Sequence, residues 1–108
     1  MFLAVALGAF GAHARLPADM TAVWQTAVQY HAWHALGLLA TGLLLLHWPE
    51  RAGLRAAAWL FAAGIVLFSG SLYAMALSGV AGLTAVTPVG GVAFLAGWAA
   101  MVWATARG

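Results

Sequence analysis

The sequence predicts an all-α integral membrane protein, a bundle of four helical segments of which the first is short. Three observations carry the prediction. Of 108 residues, 66% are hydrophobic and 6% are charged, against about 25% charged in a soluble domain, so mixed charge cannot coat the surface. Three apolar runs, at about residues 31–48, 54–77 and 88–106, with Arg55 at the edge of the second as their one charge, come close to or exceed the roughly 20 residues that a helix needs to cross a hydrocarbon core about 30 Å thick. Residue pairs that suit helix ends stand between them, Trp48-Pro49 and Thr87-Pro88.

The same composition excludes a soluble enzyme, an acidic disordered tail and a nucleic-acid binder. Net charge is +2 and rests on four arginines spread along the chain, with no basic stripe to neutralise phosphates. There is no cysteine, so disulfides, thiolate metal sites and thiol redox chemistry are absent. We find no internal repeat or linker and expect one membrane domain over residues 1–108.

The first segment, about residues 1–13, makes only about 20 Å of helix, too short to cross alone. Either the written start is expected to lie downstream of the true one, which is favoured, or the segment sits against its neighbours without crossing. No basic residue precedes it, so it reads as mature structure and not as a signal peptide. Pro17 fits a turn, and Asp19 is placed to cap the next helix. From Met20 to Tyr30, Thr21, Gln25 and Gln29 recur every four residues and share one face. This stretch is expected to be an interfacial helical lead-in to a span over 31–48.

Trp48 suits the headgroup level and Pro49 stops that span. The third segment runs over about 54–77. Ser78–Val86 is expected to be a loop, partly helical, and Thr87 an N-cap with Pro88 at the first helical position. Four segments put Arg51, Arg55 and Arg107 on one side of the membrane and Arg15 on the other. The positive-inside rule then sets both termini in the cytoplasm. Gly8 with Ala12, and Ala93 with Gly97, form small-xxx-small pairs, and Gly90-Gly91 permits a close helix approach. Compact packing explains these pairs better than dimer motifs, although both use the same pattern.

Four stretches together carry a resemblance to a known family: AVALGAFGAH at Ala4–His13, QTAVQYHAWHAL at Gln25–Leu36, FSGSLY at Phe68–Tyr73, and TPVGG at Thr87–Gly91 followed by VAFLAGW to Trp98. In this order they resemble domain of unknown function 423, a family of small bacterial inner-membrane proteins related to the eukaryotic transmembrane protein 256 group. The resemblance covers nearly the whole chain. It implies a four-helix protein of the inner membrane and no established activity. Family members usually have several more residues ahead of the first motif, an apolar residue where this chain has Arg15, and histidine or glutamine at the position of His31.

Polar residues inside spans cost free energy unless paired. With alternating directions, His13, His31, His34, Ser69, Ser71, Tyr73 and Thr87 all come to the outer half of the bundle, leaving Thr41, His47 and Thr105 in the inner half. The candidate cluster is therefore His13, His31, His34, Ser69, Tyr73 and Thr87. His31 and His34 share a helix face, and with His13 they make three imidazoles that suit Zn or Cu. No carboxylate lies in any span, so a hydrogen-bonded structural network is favoured over metal. A b-type haem would have to use His34 with His13. A proton path lacks buried acids, and alternating access would need an oligomer. A Ser–His hydrolase lacks a buried acid and an oxyanion-hole signature. Trp24, Trp33 and Trp48 are expected at interfaces, and Trp59, Trp98 and Trp103 facing lipid or packed.

The expected function is therefore non-enzymatic, with no cofactor: a structural, accessory or oligomerising bundle in the lipid bilayer, as a homo-oligomer or in a larger membrane complex. The alternative is binding of a small ligand, such as a metal ion, a lipid headgroup or a quinone, at the outer polar cluster.

Overall fold

In a computed structural model, which describes residues 1–13, 16–79 and 81–106, the chain forms four helices. They are α1 (Phe2–His13), α2 (Ala18–His47), α3 (Ala52–Ser78) and α4 (Thr87–Ala106). A short 3-10 turn, Ala81–Ala85, precedes α4. No strand occurs among the described residues. The backbone extends over 48 × 26 × 14 Å. Helix α1 packs on α2, and α3 lies between α2 and α4.

Helix α2 is one continuous helix of 30 residues, so the stretch expected to lead into the span and the span itself share one helix. Nothing between Met20 and His47 breaks a helix, and Gln25 and Gln29 are exposed on its outer face. Trp24, Ala27, His31, His34, Gly37 and Thr41 are buried, and their spacing of three and four makes a single stripe. Leu36, Leu39, Leu43 and Leu46 are exposed. The helix thus turns polar and small groups inward and leucines outward, the arrangement that suits lipid.

Among the described residues, Ala52–Ser78 and Gly82–Ala106 are both long and apolar enough to cross a membrane. At about 45 Å, α2 has ample length; its buried histidines and its glutamines lower its mean hydropathy.

Helix ends follow local chemistry, with two exceptions. Helix α2 stops at His47, and the Trp48 N–H bonds back to the Leu44 carbonyl. Helix α3 ends on Gly79, whose φ of +73° is the left-handed cap that glycine adopts without strain. Asp19, however, does not cap α2: the helix begins at Ala18 behind Pro17, with no side-chain cap, and Asp19 lies in the first turn. Nor does Thr87 cap α4. The 3-10 turn leads into the helix and the Val86 carbonyl already accepts from the N–H groups of Val89 and Gly90, which leaves the Thr87 hydroxyl for other contacts.

Helix α3 contains a π-helical turn at Ile65–Ser69, between its α-helical parts Ala52–Gly64 and Gly70–Ser78. Gly90 of α4 seats against this turn so closely that a Cβ there would fall on the backbone nitrogen of Phe68. Gly97 meets the Phe61 ring, where a Cβ would lie at 2.8 Å, and Gly8 faces Val28. These small residues serve contacts within the chain. At the end of the bundle where α2 turns into α3, the Arg51 guanidinium lies 3.9 Å over the Trp48 ring and donates to the Ala104 carbonyl at 3.2 Å. A cation there complements the exposed carbonyls near the end of α4. Arg15 and Arg107, used in the orientation reading, lie outside the described residues.

Candidate functional site

The buried stripe of α2 organises the polar groups. His34, 5% exposed, uses both ring nitrogens. Nδ1 lies 2.8 Å from the Tyr30 carbonyl, one turn back in the same helix, and Nε2 lies 2.9 Å from the indole nitrogen of Trp98 in α4. A carbonyl can only accept and an indole N–H can only donate. The imidazole is therefore neutral, with its proton on Nδ1 and its Nε2 lone pair held by Trp98. Phe94 stacks on the ring with centroids 3.5 Å apart at 12°, and Phe61 closes another side at 5.7 Å.

His31 forms a second pair, its Nδ1 3.0 Å from the Tyr73 hydroxyl of α3. The Tyr73 ring lies 4.7 Å from Trp24, and the Trp24 indole N–H donates to the Leu7 carbonyl of α1 at 2.9 Å. Trp24 is 2% exposed, packed within the bundle. Glycine makes the difference: a Cβ at Gly11 would fall on the Trp24 ring, so its absence lets α1 close over the indole.

Hydroxyl contacts of Ser69 and Ser71 accompany these pairs. Ser69 donates to the Ala27 carbonyl of α2 at 2.8 Å. Ser71, on the opposite face of α3, donates to the Phe68 carbonyl at 2.8 Å and has its oxygen 2.6 Å from the Thr87 hydroxyl of α4. Towards the other end of the bundle, Thr41 donates to the Gly37 carbonyl at 2.7 Å and Thr105 to the Met101 carbonyl at 2.9 Å.

The predicted cluster is thus resolved into separate ties between helices. The structure joins His31 with Tyr73, sets Thr87 on Ser71, and gives Ser69 to a backbone carbonyl. His34 turns to Trp98, which sequence reasoning left as a lipid-facing or packed residue. His13 is exposed, beside Ala6, Ala9 and Phe10. Among the described residues no group of three His, Asp or Glu side chains is placed to hold a metal ion. Among the described residues, no buried side-chain nitrogen or oxygen lacks a hydrogen-bond partner. The spacing of Trp24, Ala27, His31, His34 and Thr41 was the sequence signal for a buried stripe; nothing in the sequence paired its members with Leu7 or Trp98.

Comparison with known proteins places the chain. The family model described as Protein of unknown function (DUF423) matches residues 7–91. The chain is 46% identical to the UPF0382 membrane protein YwdK of Bacillus subtilis (strain 168), over 97% of this chain and 88% of that protein. It is also 46% identical to the UPF0382 inner membrane protein YgdD of Escherichia coli (strain K12), over 94% of this chain and 79% of that protein. Identity to the UPF0382 membrane protein SERP0230 of Staphylococcus epidermidis is 44%, over 97% of this chain and 87% of that protein. No solved structure matches. The polar ties lie in and around the matched region, and the chain belongs to the DUF423 family and is a membrane protein.

Proposed function

We propose that the protein is a non-enzymatic, multi-pass bundle that acts through packing, as a homo-oligomer or as an accessory subunit of a larger membrane complex. The carrying observation is that the buried polar side-chain atoms of the described residues all have hydrogen-bond partners. His34 has no lone pair left for a metal or a substrate, because Nδ1 is engaged by Tyr30 and Nε2 by Trp98. The His31, Ser69, Ser71 and Thr87 side chains are likewise used to tie helices together. Such bonds contribute about 0.6–2 kcal/mol each within a membrane, which suits a scaffold better than a reactive centre.

The proposal places the protein in the bacterial inner membrane with both termini in the cytoplasm. The turn holding Arg51 and Arg55 would face the same side, in line with the positive-inside rule.

The test is purification in mild detergent, wild type beside His34→Ala, with metal analysis, a visible spectrum and native sizing of solubilised membranes. We expect metal-free, colourless protein that runs as a defined oligomer or complex. Stoichiometric Zn or Cu, or a Soret band, lost in His34→Ala would overturn the reading, as would a wild type that is solely monomeric.

A further inference from the structure

The helices α2 and α4 meet mainly through side chains, because α3 lies between them. On one face this leaves an open crevice of about 540 Å³, within the size range of small-molecule sites. Its walls include Tyr30 and His34 of α2, Phe68 of the π turn, and Gly91, Phe94 and Trp98 of α4. Rings dominate the lining: Tyr30 and Phe68 have centroids 4.7 Å apart, and Phe68 and Phe94 5.5 Å. The polar side-chain atoms of the lining are three in kind. The His34 nitrogens and the Trp98 indole N–H are committed to each other and to Tyr30 O. The Tyr30 hydroxyl bonds to no described residue and is not buried, since every buried polar side-chain atom has a partner.

The crevice therefore offers flat apolar faces and one free O–H donor, and nothing that would hold a charge. We propose that it binds a flat, lipid-soluble ring bearing a carbonyl acceptor, the chemistry of a quinone headgroup, with Tyr30 donating to the carbonyl and the aromatic walls packing against the ring. A plain acyl chain would leave the hydroxyl unused, and a phosphate would find no cation. Gly91 keeps the mouth open: a Cβ there meets only Phe68 Cδ2, at 3.9 Å, so a larger side chain enters the crevice and not a packed contact. The site is one of binding alone and stands independently of the packing role.

The test is equilibrium dialysis of the full chain in detergent micelles against empty micelles, with 2-methyl-1,4-naphthoquinone as the probe and 2-methylnaphthalene, which lacks the carbonyls, as its comparator. We expect saturable uptake of one quinone per chain and weaker binding of the comparator. Tyr30→Phe should weaken quinone binding about fivefold, as loss of one neutral hydrogen bond predicts. Gly91→Leu should abolish it with an unchanged thermal midpoint. Should Gly91→Leu fail to fold, the conservative Tyr30→Phe still decides. Uptake no greater than in empty micelles would overturn the proposal. Equal binding of both probes, unaffected by Tyr30→Phe, would also overturn it and make the crevice a trough for lipid chains.

Discussion

The Trp98 indole N–H donates to Nε2 of His34 at 2.9 Å and so ties α4 to α2. The tie fixes the imidazole tautomer through the Tyr30 carbonyl and holds the ring flat against Phe94. Trp98→Phe keeps most of the ring volume but leaves the Nε2 lone pair without its donor. We expect a loss of about 1 kcal/mol, read as a lower unfolding midpoint in mixed micelles. His34→Phe in the Trp98→Phe background should add less than His34→Phe alone, because the bond is already gone. Strict additivity of the two would show that the bond contributes nothing to the fold.

Gly90 tests the closest helix approach. Because its missing Cβ is the space occupied by the Phe68 backbone, Gly90→Ala must push α4 off the π turn. The clash is with main chain, which cannot rotate away as a side chain would. Destabilisation of about 1–3 kcal/mol, the range for overpacking, is expected, with a greater loss for Gly90→Leu. The adjacent Gly91→Ala meets only Phe68 Cδ2 at 3.9 Å and should leave the thermal midpoint in detergent within a degree or so of wild type. Equal midpoints for Gly90→Ala and wild type would mean that α4 does not lie where the structure places it.

Much of this architecture was legible in the sequence because lipid imposes coarse constraints. A charge-free run of membrane length has few alternatives to a helix, and Pro49 marks its turn through a fixed backbone preference. The π turn was not legible. Ile65–Ser69 carries no proline, charge or polar pattern that distinguishes it from ordinary helix, and it is recognisable only from the fit of Phe68 on Gly90 and of Ser69 on Ala27. Thr87 misled for a related reason: its N-cap signature is local, whereas the 3-10 turn before it and Ser71 across from it claim its neighbours and its hydroxyl. In the site, alternation of helix direction correctly brought His31 near Tyr73. It gave no azimuth for α4, so Trp98 was missed as the partner of His34.

Trp24 controls the attachment of α1. That helix packs on α2, and Leu3, Val5 and Phe10 are exposed, so its docking depends on the indole seated over Gly11 and bonded to the Leu7 carbonyl. Trp24→Phe removes the bond and part of the filling. Amide hydrogens over Phe2–His13 should then exchange faster, by about tenfold for a loss near 1.4 kcal/mol in local opening, while those of α3 and α4 keep their protection. Uniform acceleration over all four helices would instead make Trp24 part of the global core.

The absence of native cysteine makes orientation directly measurable. Glu50 is exposed in the turn between α2 and α3, and Gly82 is exposed in the 3-10 turn at the other end of α3, where an added Cβ meets open space. Glu50→Cys and Gly82→Cys each introduce a single thiol and should leave the packing undisturbed. With Arg51 and Arg55 inside, Gly82→Cys should react with a membrane-impermeant maleimide in intact cells, and Glu50→Cys only after permeabilisation. The reverse pattern would invert the bundle and show that two described arginines are too weak a bias. Equal labelling of both from outside would mean that α3 does not span at all, despite a length and apolarity sufficient to do so.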